Sequence, residues 1–128
     1  EREKQEARQL FLTLFNAWSL NAVATLALCW LCQAYDLALA IVDRITKLMQ
    51  RRIANGMSHG SALVAERLSN LLCLFDQPVF AVMRLHLLEP LRFPSLRLSL
   101  DRVLSLLPQS PVFVALRRRL KSAPLHLF

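Results

Sequence analysis

Glycine occurs only twice in this 128-residue chain, and long leucine-rich stretches run without a turn signal. That scarcity leaves few points where the backbone could reverse sharply, and it points to an all-helical architecture. Cysteine is equally sparse. Three residues, Cys29, Cys32 and Cys73, form no disulfide framework, which fits a reducing compartment. No positively charged leader followed by a cleavage site opens the chain, and the first residue is Glu1, so the sequence reads as an excised fragment of a longer protein. No Gly-rich phosphate loop, HExxH helix or nucleophile elbow is present. Acidic residues are outnumbered, nine against sixteen Lys and Arg, so the formal net charge is +7 and favours acidic partners.

What is abundant is apolar side chain: 55% of residues, with a mean hydropathy of +0.36. A free-standing soluble domain is usually less greasy. The surplus implies that part of the surface is hidden in a larger assembly. Residues 10–32 hold no Asp, Glu, Lys or Arg and are long enough in principle to cross a bilayer, for which ~20 apolar residues suffice. Asn16, Ser19 and Asn21 fall at the centre of that run, where Ser19 or Asn21 would cap a new helix. The stretch therefore reads as two helices joined by a tight corner, neither long enough to span.

On this reading the first helix covers about 4–17, with Ala7, Leu10, Phe11, Leu14, Phe15 and Trp18 as its apolar stripe. The second, about 22–32, is apolar nearly all round and expected to be buried on every side. The third spans about 35–52, with Leu37, Ala38, Ile41, Val42, Ile45, Leu48 and Met49 inward and Asp43 paired with Lys47 four residues on. Asn55-Gly56 ends it, and 57–60 reads as a mobile loop. A fourth helix follows Ser61 with Val64, Leu68, Leu71, Leu72 and Phe75 inward. Prolines at 78, 94 and 111 announce three more, over about 79–88, 95–107 and 111–121. The fold class is thus all-α, a HEAT-like α-solenoid or irregular stack of six to seven helices, forming one domain over 1–121 with an irregular tail at 122–128.

No residue grouping resembles a catalytic or metal centre. Cys29 and Cys32 have the spacing of a redox or zinc pair but lie in an apolar helix without a second pair, and are expected to be buried structural thiols. His59, His86 and His126 stand apart from any Cys or carboxylate at ligand spacing. No cofactor, metal or enzymatic activity is expected. Arg117, Arg118, Arg119 and Lys121 form the strongest basic cluster, a candidate for an anionic membrane surface, although as helix neighbours they point in different directions. Few aromatics are interleaved with them, which argues against nucleic acid.

Three blocks carry a family resemblance. The first is residues 18–29 (WSLNAVATLALC) followed by 33–38 (QAYDLA), the second Pro78-Val79-Phe80 with 84–90 (RLHLLEP), and the third Leu106-Leu107-Pro108-Gln109-Ser110 with Phe113. In this order and spacing the chain resembles, over about 10–120, the C-terminal domain of the HEAT-repeat vacuole-morphology scaffold. That scaffold serves the complex controlling phosphatidylinositol 3,5-bisphosphate. The resemblance implies a non-enzymatic role: binding a Sac-family phosphoinositide phosphatase, bringing copies together in a pentamer-like star, and supporting the lipid kinase PIKfyve at the cytosolic face of endosome or vacuole membranes. Within the matched blocks Leu107, Pro108, Gln109 and Ser110 are candidate partner-contact residues. The competing reading of that corner is turn chemistry, in which Pro108 stops one helix and Ser110 caps the next. Leu85, Leu88, Leu104 and Leu107 read as core rather than interface. An alternative function is a peripheral module that docks on anionic membrane through its basic face.

Overall fold

The computed structural model describes residues 1–54, 56 and 58–122, and the side chains among them apart from those of 11, 12, 15, 16, 52 and 58–61. Among these residues six α-helices and one 3₁₀ turn follow in order: α1 (Arg2–Leu31), α2 (Tyr35–Ala54), α3 (Ser58–Leu72), η1 (Pro78–Phe80), α4 (Ala81–His86), α5 (Pro94–Leu106) and α6 (Pro111–Ser122). No strand occurs among the described residues. The all-α expectation holds, and the elements form a helical stack.

The expected corner at 16–21 does not exist. α1 runs unbroken through it for 30 residues, about 45 Å at 1.5 Å per residue. Neither glycine nor proline interrupts residues 1–54. Thr13 and Thr25 each donate a hydroxyl to the carbonyl four residues back, at 2.9 and 2.7 Å. Ser19, expected as a cap, is fully buried inside the helix. Despite this length, no helix among the described residues is long and apolar enough to cross a membrane.

Nor is the 22–32 stretch buried all round. Val23, Leu26, Cys29 and Trp30 face the core, while Leu20, Ala24, Leu28 and Leu31 face outward. The helix ends in a Schellman arrangement. Gln33 adopts φ +62°, its N–H bonds the carbonyl of Trp30 at 3.3 Å, and the Ala34 N–H bonds that of Cys29 at 2.8 Å. This reversal lays α2 back along α1.

α2 packs most extensively against α5, and α1 against α3 and α2. Val42, Ile45 and Ala38 of α2 meet Leu96, Leu100 and Val103 of α5 in one contiguous core. At its centre is Trp30, fully buried, whose indole N–H donates to Ser99 Oγ at 3.1 Å. Ser99 in turn donates to the Leu96 carbonyl at 2.7 Å, so Ser19 and Ser99, the fully buried serines among the described residues, each have partners. Phe75 stands edge-on to Trp30 at 5.4 Å, and Phe80 lies 5.4 Å beyond it.

Four further expectations change. Leu37 is exposed, since the α2 stripe turned to the core begins with Ala38. Asp43 pairs across the α2–α5 contact with Arg102 rather than along its own helix with Lys47. The loop expected at 57–60 is shorter, because α3 already begins at Ser58; Asn55 and Met57 lie outside the described residues, and Gly56 takes φ +76° just past α2. The single helix expected at 79–88 is a 3₁₀ turn followed by the six-residue α4. Val64, Leu68, Leu71 and Leu72 of α3, and Phe75 just past its end, are buried as expected.

Candidate interaction surfaces

The segment from η1 through α4 shows how apolar residues are divided between core and surface. Phe80, Met83, Leu87 and Pro90 are buried and complete this side of the core. Between them Val79, Val82, Leu85, Leu88 and Leu91, one at every third residue, are 47–63% exposed. Leu85 and Leu88 are therefore surface and not core, a correction with a simple cause: both faces of this short segment are apolar, and packing uses only one. Arg84 pins the segment by donating to the carbonyls of Phe75 and of Gln77, the latter at 2.9 Å. Five exposed aliphatic side chains in thirteen residues exceed what scattered surface apolarity explains.

The corner at 107–110 divides in the same way. Leu107 is buried, and Leu104 packs partly buried against the core, both as expected. Pro108 and Gln109 are exposed. Ser110 accepts the Phe113 backbone N–H on its Oγ at 3.2 Å, capping α6. Of these four candidates, only Pro108 and Gln109 offer a partner well-exposed side chains.

In α6, Leu116 and Leu120 anchor the helix to the core, while Arg117, Arg118 and Lys121 point outward. Arg119 is separated from them by its ion pair with Asp76. Val114, Arg117, Arg118, Lys121 and Ser122 line an open hollow of about 350 Å³. On the other side of α6, Leu72, Phe75, Pro111, Val112, Ala115 and Leu116 border a second, more apolar hollow of about 250 Å³, rimmed by the Asp76–Arg119 pair. The tail 123–128, including His126, lies outside the described residues.

Among the described side chains the thiols and the His86 imidazole form no common metal-holding group. Cys29 is buried, and its thiol is pushed up by burial and, less, by the nearby Cys32. Cys32 and Cys73 are exposed, so the expectation of a buried Cys29–Cys32 pair holds for Cys29 alone; Cys32 is the residue that terminates α1, where the chain turns outward. His86 shares a hydrogen bond of 2.7 Å with the Tyr35 hydroxyl and stacks on Phe93 at 3.9 Å, with Arg92 over the far ring at 5.2 Å. This cluster locks the α1–α2 corner to the start of α5. Burial raises the Tyr35 phenol. Among the described residues no group of three or more His, Cys, Asp and Glu is placed to hold a metal ion.

The helical stack closes one core and leaves a surplus of apolar residues on its outside. Residues 1–123 match the family model described as vacuolar protein 14 C-terminal Fig4p binding. The chain is 34% identical to a VAC14 homologue of Arabidopsis thaliana over 97% of its length, and 36% identical to a VAC14 homologue of Schizosaccharomyces pombe over 92%. It is also 36% identical to the vacuole morphology and inheritance protein 14 of Saccharomyces cerevisiae over 91%. The chain thus belongs to the family of VAC14 C-terminal domains. It spans 12–16% of the length of these relatives. No solved structure matches it.

Proposed function

We propose that the chain is a non-enzymatic scaffold domain that binds a Sac-family phosphoinositide phosphatase of the Fig4 type and self-associates. In this role it supports a complex with the lipid kinase PIKfyve that controls phosphatidylinositol 3,5-bisphosphate. The work is done at the cytosolic face of endosome or vacuole membranes, with the domain held there peripherally. The observation that carries this reading is the match of residues 1–123 to a family described by Fig4p binding. The exposed aliphatic run from Val79 to Leu91 supplies a surface suited to it: the core is complete without these side chains, so covering them with a partner removes apolar area from water at no cost in packing. Pro108 and Gln109 extend the set of candidate contacts.

The test is retention of a purified Fig4-type phosphatase on the immobilised chain. Leu85→Asp with Leu88→Asp places two charges where burial is required, and weakens retention by at least about tenfold, while circular dichroism stays unchanged because both side chains are exposed. Absence of retention by the unaltered chain contradicts the reading.

A second reading rests on the hollow lined by Arg117, Arg118 and Lys121, three outward cations on one side of α6. It suits an anionic membrane surface. Sedimentation with anionic vesicles that falls away as salt rises would support it.

A further inference from the structure

We infer that the groove between α1 and α2 holds an acidic amphipathic helix of a partner protein. The inference goes beyond the phosphatase contact proposed above and shares no residue with the run from Val79 to Leu91. Because α2 folds back along α1, the two helices leave a hollow of about 220 Å³ between them. Ala22, Ile41 and the buried Ile45 line its base, Trp18 and Thr25 stand on the α1 side, and Arg44 stands on the α2 side. Both edges continue past the hollow. On α1, Leu14 and Leu28 fall in one row with Trp18 and Thr25 and are 59–61% exposed. On α2, Leu37, Arg44 and Arg51 follow at seven-residue intervals, close to two full turns, and all three are exposed. From Leu14 to Leu28 the row is about 21 Å long, enough for about four turns of a docked helix.

Charge selects the occupant, because the charges of α2 are sorted by side. Asp43 pairs with Arg102 and Asp36 accepts a hydrogen bond from Ser95 Oγ, so both acids are engaged by α5. Arg44 and Arg51, on the groove edge, make no ion pair among the described residues. The α1 edge is neutral throughout, since residues 9–35 contain no Asp, Glu, Lys or Arg. A ligand for this groove therefore needs an apolar face, an anionic flank over α2 and an uncharged flank over α1. A helix with apolar anchors three and four residues apart, and Asp or Glu along one flank only, has all three. Its acids meet Arg44 and Arg51, and near the α1–α2 corner its apolar residues meet Leu28 and Leu37. Nucleic acid, charged along its whole backbone, suits a groove with cations on both edges. A flat bilayer reaches the rims but not the base. The formal net charge of +7 also speeds encounter with an acidic partner.

The test uses the full chain and two designed helical peptides of about four turns. Both carry leucine at alternating steps of three and four residues; one has glutamate along a single flank, the other lysine at the same positions. Only two tryptophans are present, and Trp30 is fully buried, so Trp18 in the groove reports occupancy. The glutamate peptide shifts Trp18 emission to the blue and shields it from acrylamide, and its binding weakens as salt rises. The lysine peptide binds at least about tenfold more weakly. Arg44→Glu with Arg51→Glu reverses that preference and leaves the far-ultraviolet dichroism unchanged, because both side chains are exposed. Equal binding of the two peptides, or a preference that survives the charge reversal, would overturn the inference. So would a glutamate peptide that leaves Trp18 emission and quenching unmoved.

Discussion

Cys29 and Cys32 sit one helical turn apart at the end of α1, yet their thiols meet different surroundings. Cys29 faces Trp30's side of the helix and is buried, whereas Cys32 terminates the helix in water. The thiolate is the reactive form, and burial disfavours it at Cys29. In the native chain Cys32 and Cys73 are therefore expected to label with a thiol reagent at least about tenfold faster than Cys29, and all three alike once denatured. Equal native labelling would contradict the placement. The same division between neighbours limits what single residues disclose in the sequence. Leu85 and Leu87 have identical chemistry, but one is surface and the other core, because the side of the segment that packs is decided by where Phe75 and Trp30 stand. Leu104 and Leu107 were legible as core because their helix has one apolar face; Leu85 and Leu88 belong to a segment with two.

Among the elements, α2 and α5 depend on one another. Their contact joins apolar packing of Val42 and Ala38 with Leu96 and Leu100 to a surface ion pair between Asp43 and Arg102. The two components differ in weight. Leu100 is fully buried, so Leu100→Ala is expected to cost about 3 kcal/mol, whereas Arg102→Ala costs less than about 1 kcal/mol because both charges are roughly two-fifths exposed and screened. Denaturant unfolding of the two variants checks this ordering, and a larger loss for Arg102→Ala would reverse it. At this scale most boundaries were legible: proline marks the starts of η1, α5 and α6, and the periodicity of α3 places its stripe correctly. The uninterrupted α1 was not. Asn16, Ser19 and Asn21 resemble capping residues, but capping competes with a helix only where tertiary packing is weak, and Ser19 is packed at the heart of the fold. The absence of glycine and proline from residues 1–54 was the sequence signal for continuity.

For the whole molecule, the apolar surplus read from composition proves to be localised. Much of it lies along the outer face of α1 and along the run from Val79 to Leu91, while Leu37, Ile53, Leu74, Leu98 and Val114 are exposed elsewhere. Exposed apolar surface of this extent on a small domain suits a scaffold. Composition showed that such surface exists, and the ordered blocks pointed to the family, but location required knowing which face of each helix the core consumes. The central claim is that this chain gathers a Fig4-type phosphatase into an oligomer. Its most direct test is the solution mass of the full chain mixed with that purified phosphatase, by light scattering across a concentration series. One particle containing the phosphatase and at least two copies of the chain is expected. Two species that elute separately at their individual masses would contradict it.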